Sequence, residues 1–194
     1  MAVSLRKNEG VSLSKGLSEI TVGLGWKANQ FEGGCEFDLD ASAFLLNEDD
    51  RCPTEKDFIF YLNLKHPSGS VVHMGDDRTG SDSESADDGE EIHINLKAIP
   101  DMIKKIAITV TIYDAEDRNQ NFGQVENAYV HLIDNSTKRE ILRYDLTDNY
   151  FGETALVVAE LIKSKNNVWT FKAVGQGFNN GLEGLCNRYG IDVK

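Results

Sequence analysis

The sequence predicts a mainly β fold, a two-sheet β-sandwich with a few short helices, and three observations carry that reading. Segments rich in β-branched and aromatic residues recur at short intervals with turn residues between them. Several of these segments alternate with period two, which is the pattern of strands with one buried face. Helical spacing is clearest near the end of the chain, at Leu182, Leu185, Cys186 and Tyr189, where an amphipathic helix is expected to cover a sheet. The 194 residues are enough for a single sandwich domain spanning 1–194 with one sizeable core.

In chain order, the first strand signal is 20–24, where Ile20, Val22 and Leu24 alternate with Thr21 and Gly23. In 36–46, Phe37, Leu39, Ala41, Ala43 and Leu45 share one face, so Asp38 and Asp40 fall together on the other. Two carboxylates on one face of a strand are about 7 Å apart along it. Ser42, Phe44 and Leu46 follow on the same face as the aspartates, so the strand becomes buried on both sides toward its end. Residues 57–64 are apolar on both faces and read as a central strand. A turn at His66 to Ser70 leads into 71–74, the second arm of a hairpin, and 91–97 alternates again through Ile92, Ile94 and Leu96. One or two helical turns are expected over 99–105, where Pro100 stands near a helical start. Residues 105–113 are the strongest strand signal, followed by 128–133, 140–146, 154–162 and 168–174. Gly175, Gly177 and Gly181 read as a flexible turn before the terminal helix.

Between the strands 71–74 and 91–97 lies the most unusual stretch, residues 75–91, with eight carboxylates against the single Arg78 and a local charge of −7 in a chain of −12. Charge of this density keeps a segment solvated unless a multivalent cation neutralises it. Carboxylates, hydroxyls and glycines are hard donors and turn formers, the chemistry that Ca²⁺ prefers. Both the solvated and the ion-bound readings are open on these residues alone. A second acidic group, Asp114, Glu116 and Asp117, follows the 105–113 strand and reads as a solvated turn.

Composition excludes several function classes. A net charge of −12 without a basic window excludes a nucleic-acid footprint. The longest nearly apolar run, 155–162, is interrupted by Glu160 and is too short to insert in a bilayer. Cys35, Cys52 and Cys186 are odd in number and lack CxxC spacing, which disfavours a disulfide framework and a zinc site and points to a reducing, cytoplasmic compartment. Nothing in the sequence marks one of these thiols as activated. The phosphate-loop, dinucleotide, HExxH and GxSxG motifs are absent, as is the EF-hand spacing, and His66, His73, His93 and His131 read as surface or packing residues.

Several spaced segments then resemble the TerD family of tellurium-resistance and stress proteins. They are VSLSKG at 11–16, VGLGW at 22–26, FDLDASAFLL at 37–46, GDDRTG at 75–80, ITVTIYDA at 108–115, FGQVENAYVHLID at 122–134 and WTFKAVGQGFNNGLEGL at 169–185. The resemblance covers nearly the whole chain in the family's order. It implies two β-sheets holding two Ca²⁺ ions in a cytosolic, non-catalytic protein of tellurite and chemical stress resistance. Carried over by position, it implies metal ligands at Asp38, Asp40, Asp76 and Asp77 and, at the back of the loop, Asp87, Asp88 and Glu90, while the six to eight oxygens that Ca²⁺ takes would draw in carbonyls such as that of Gly80. The loop closes through Asp87, Asp88, Gly89, Glu90 and Glu91, one residue longer than the family's usual Asp-Asp-Glu. Ca²⁺ ordering this loop would gate protein partners in a stress-response complex. The reading set against it is a metal-dependent hydrolase using the same carboxylates to hold Mg²⁺ or Mn²⁺.

Overall fold

The computed structural model describes residues 2–27, 37–75, 89–146, 148 and 150–192. Its strands are β1 (Val3–Leu5), β2 (Gly10–Ser12), β3 (Glu19–Gly25), β4 (Leu39–Leu46), β5 (Phe58–Ile59), β6 (Val71–His73), β7 (Glu90–Asn95), β8 (Lys105–Ile112), β9 (Tyr129–Asp134), β10 (Arg139–Asp145), β11 (Ala155–Lys163) and β12 (Trp169–Phe178), followed by the helix α1 (Gly181–Tyr189). Two six-stranded sheets form, ordered β1-β10-β9-β3-β7-β6 and β2-β12-β11-β8-β4-β5. Neighbours are antiparallel except β1, which runs parallel to β10. The mainly β sandwich with a C-terminal helix that the sequence predicts is the fold observed.

The period-two pattern explains the main core. Ile20, Val22 and Leu24 from β3 and Ile92 and Ile94 from β7 face Leu39, Ala41, Ala43 and Leu45 from β4, all nearly inaccessible. The second sheet is buried on its other face too. Phe44, Leu46, Phe58, Ala107 and Val157 pack there beneath Leu185, Cys186 and Tyr189 of α1. This second cluster is why β4, β8 and β11 read as apolar on both faces although the sheet is antiparallel. The helix stops at Gly190, whose φ of 79° is the left-handed C-cap conformation and whose N–H donates to Cys186 O.

Three local expectations are corrected. Residues 57–64 are not a central strand: only Phe58–Ile59 pairs, at the sheet edge against Ala43 and Phe44, and the chain then turns back through the Phe60 to Asn63 bridge. Phe58 is buried against Phe44 and Ile59 faces the main core, so the double-sided apolarity belongs to two residues and an aromatic stack, while Leu62 is 77% exposed. Residues 99–105 form turns rather than helix, with Ile103 N–H donating to Pro100 O. Gly175 and Gly177 lie inside β12, not in a terminal turn. The β11–β12 register shifts between Val157 and Ala159, and Gly175, at φ 59°, takes the bulge opposite. The hydroxyls of Tyr144 and Tyr150 fill the space a Cβ there would need. The strands β1 and β2 are too short for any period to reveal them.

Gly175→Ala, strained in φ and blocked by two buried tyrosines, is expected to cost about 1–3 kcal/mol in urea unfolding. Gly16→Ala, where an added methyl meets nothing within 4 Å, is expected to stay within about 0.5 kcal/mol of the parent. Equal effects at the two positions would contradict the bulge assignment.

Candidate metal centre

The acidic stretch connects β6 to β7, which pair directly, with His73 opposite Ile92 and Met74 N–H donating to Glu91 O. Both ends of the stretch are therefore fixed by one hairpin. Alternation places His73 on the same face as Val71, and Glu90 on the same face as Ile92 and Ile94. Both polar side chains point into the sandwich and are buried, at 2% exposure each.

What they meet there is the edge of β4. Asp38 O accepts from Tyr113 N–H and Leu46 O from Lys104 N–H, so the even-numbered carbonyls of this segment face β8 and its odd-numbered peptide groups face β5. The strand β5 ends opposite Ala43, leaving Ala41 beyond its reach. The Glu90 carboxylate accepts the Ala41 N–H through Oε2, and His73 Nε2 lies 3.1 Å from Ala41 O. Two side chains of the first sheet thus complete the hydrogen bonding of one residue in the second. Gly75 N–H donates to His73 Nδ1 at 3.2 Å, which leaves Nε2 to carry the proton that Ala41 O accepts. His73 Nε2 is also 3.7 Å from Glu90 Oε2. Burial opposes a charge on His73, but the hydrogen bond and field of Glu90, the Ala41 carbonyl and the Asp40 charge outweigh it and hold the pKa above its ordinary value.

The sequence-expected ligands divide accordingly. Asp40 is on β4 next to Ala41, is 8% exposed, and by alternation shares its face with Ser42. Asp38 immediately precedes β4, with Oδ2 3.9 Å from the Arg118 guanidinium. Glu90 approaches the Ala41 peptide from inside the sandwich, whereas Asp40 leaves β4 on the opposite face. Asp76, Asp77, Gly80, Asp87 and Asp88 lie outside the described residues. Among the described residues no group of three or more His, Cys, Asp or Glu stands close enough together to hold a metal ion. The donor chemistry of Asp38 and Asp40, oxygen only, fits a hard cation such as Ca²⁺. Arg118 belongs to the second acidic turn, where Asp114, Glu116 and Asp117 are exposed as expected and Arg118 N–H donates to Asp114 O.

Gly89, in the loop closure, carries the indole of Trp26 against its Cα, leaving no room for a Cβ. Trp26 is 5% exposed, so it wedges the back of the loop against β3.

The comparisons with known proteins bear on this arrangement. The chain matches the TerD domain over residues 1–189. It belongs to the TerD family. It is 50% identical to the uncharacterized protein YceE and 45% identical to general stress protein 16U, both of Bacillus subtilis (strain 168), and 46% identical to the tellurium resistance protein TerD of Serratia marcescens, in each case over 100% of both chains. A solved homologue of telluride resistance protein TerD from Streptomyces coelicolor A3(2), at 22% identity, superposes with a TM-score of 0.65 over 85% of this chain and 92% of its own, which supports the fold. TerD relatives are thus named as resistance and stress proteins. Among the described residues no helix is long and apolar enough to cross a membrane.

Sequence reasoning missed three polar features. His73 reads as a scattered histidine, although its parity with Val71 already puts it on the inner face. His131, another of the histidines read as surface or packing residues, is 5% exposed and pairs with Glu140, its Nδ1 2.7 Å from Oε2. Buried Asp57 and His66 form a chain, with His66 Nε2 3.1 Å from Asp57 Oδ1 and Nδ1 2.7 Å from Ser68 Oγ. This chain is closed on its own turn: Thr54 donates to Asp57, Gly69 N–H donates to His66 O, and Ser70 N–H donates to Ser68 Oγ. It fastens the β5–β6 connection that leads to the acidic stretch.

The thiols described here are not poised for reaction. Burial first, with help from Asp57, pushes Cys52 up to about 12, and burial with Glu183 pushes Cys186 up to about 11. Cys35 lies outside the described residues.

Glu90→Ala, which leaves the buried Ala41 N–H without its acceptor and removes the carboxylate beside the buried His73, is expected to cost about 3 kcal/mol in thermal or urea unfolding. Glu91→Ala, which among the described residues breaks the half-exposed pair with His93, is expected to cost under about 1 kcal/mol. Native thiol titration at pH 8 with a disulfide reagent is expected to leave Cys52 and Cys186 unmodified, becoming reactive only in denaturant. Rapid native modification of either would contradict the packing beneath α1.

Proposed function

We propose that the chain is a non-catalytic calcium-binding stress-response protein of tellurite and chemical stress resistance, in which Ca²⁺ orders the acidic stretch beside β4. The observation that carries this reading is the anchoring of the stretch. Its last segment is fixed where Glu90 takes the Ala41 N–H, one residue from Asp40, and its first where Gly75 N–H meets His73. Both ends of the stretch are thus held beside the strand that carries Asp38 and Asp40, so part of the loop-closure entropy of a metal site would already be spent. Ca²⁺ takes six to eight oxygens. Asp38 and Asp40 would supply the strand half of that shell and Asp76, Asp77, Asp87, Asp88 and the Gly80 carbonyl the loop half. Glu90, with one oxygen on Ala41, would then act chiefly by fixing the frame. Neutralising the −7 stretch would remove its self-repulsion and create a surface that differs between the loaded and unloaded states, which is the means by which such a protein would engage a partner in the cytoplasm. The relatives named for general stress and for tellurium resistance support the biological setting.

A calcium titration tests it. At free Ca²⁺ of about 100 times Kd, binding to the folded state alone adds about 2.7 kcal/mol, which raises the Tm of a chain of this size by roughly 5–10 °C. Chelator is expected to reverse the shift, Asp40→Asn to abolish most of it, and Arg118→Gln, by relieving competition at Asp38, to tighten binding. No thermal shift together with no heat of binding would overturn the reading.

A further inference from the structure

At the end of the sandwich away from Glu90 and Asp40, the loops that close β2, β7 and β11 surround a cavity of about 250 Å³. Its apolar walls include Leu17, Ile99 and Trp169, and three lysines, Lys15, Lys97 and Lys163, line it as well. In a chain of net charge −12, such a concentration of ammonium groups is a local reversal of the molecule's field. Lys163 is the decisive residue. It ends β11 with a side chain only 9% exposed, and its Nζ is 5.9 Å from the centre of the Trp169 ring. Its carboxylate neighbour, Asp101 Oδ1 at 3.2 Å, belongs to a side chain 98% exposed. A pair with one fully solvated member is worth little, so a ligand that brings its own negative group can displace Asp101 at small cost.

We infer that this cavity is a binding site for a small organic anion, a carboxylate or phosphate head on a body of about one ring. The head replaces Asp101 on Lys163, with Lys15 and Lys97 adding field from the rim. The body packs against Leu17, Ile99 and the Trp169 face. Size sets the class: an engineered cavity that takes benzene is about 150 Å³ and drug-sized pockets begin near 300 Å³, so 250 Å³ admits one ring with its head group. The site is independent of the acidic stretch and of any metal there.

Saturation-transfer NMR and calorimetry on the whole chain test this, with phenyl phosphate as the probe and benzoate as the carboxylate arm. Phenyl phosphate is expected to receive saturation, and phenol and inorganic phosphate to bind at least about tenfold more weakly, since each supplies only half of the recognition. Lys163→Met, which keeps an unbranched chain as far as Cε and removes the ammonium group, is expected to weaken binding about tenfold or more, the loss of one charge-assisted contact. Asp101→Asn, at a fully exposed position, is expected to strengthen it several-fold. The inference is overturned if millimolar phenyl phosphate and benzoate receive no saturation, if inorganic phosphate binds as tightly as phenyl phosphate, or if Asp101→Asn leaves affinity unchanged or lower.

Discussion

The arrangement of the acidic end depends on one interaction, the clasp of Glu90 and His73 on the Ala41 peptide. A sandwich is held mainly by non-directional apolar contact, which fixes the spacing of two sheets but is tolerant of small slides between them. Hydrogen bonds from side chains of one sheet to the backbone of the other remove that freedom at one corner. They are also obligatory. A buried carboxylate without donors and a buried peptide without a partner would each cost several times what a hydrogen bond contributes when made. The short β5 strand creates the requirement by stopping opposite Ala43, and the first turn of chain on either side of the acidic stretch meets it.

From that corner the rest of the acidic end follows. Trp26 leans on Gly89, Gly75 donates to His73, and the Asp57–His66 chain ties down the connection that enters β6. Each contact holds a different point of the frame around residues 75–91. A stretch with a local charge of −7 repels itself unless cations neutralise it. The opposite end of the sandwich has the reverse character, with three lysines lining a cavity whose walls are partly apolar. The strand β7 joins the two, running from Glu90 in the clasp to Asn95 beside the turn that carries Lys97.

Much of this was legible in the sequence, and the exceptions have physical causes. Alternation identified the inner face of β4 from Phe37 to Leu45 and the outer pair Asp38 and Asp40, because a strand packed on a core must show that period. It failed at 57–64, where Phe60 stacked on Phe58, and Phe58 on Phe44, imitate a central strand at a sheet edge. It failed again at Gly175 and Gly177, because a bulge inside a long strand and a loop draw on the same residue. The loop's acidity was obvious, but the clasp was not. Glu90 reads as one more member of a charge run, and only the pairing of β6 with β7 and the short reach of β5 bring it to Ala41. Long-range closure of this kind leaves no local pattern.

Amide hydrogen exchange at Ala41 tests the central claim most directly. If Glu90 and His73 stand in for a missing strand, the Ala41 N–H should exchange as slowly as the N–H groups that β4 donates to β8, and Glu90→Ala should release it selectively while those neighbours stay protected. An Ala41 N–H that exchanges at the rate of an open sheet edge in the parent protein, or that is unaffected by Glu90→Ala, would contradict it.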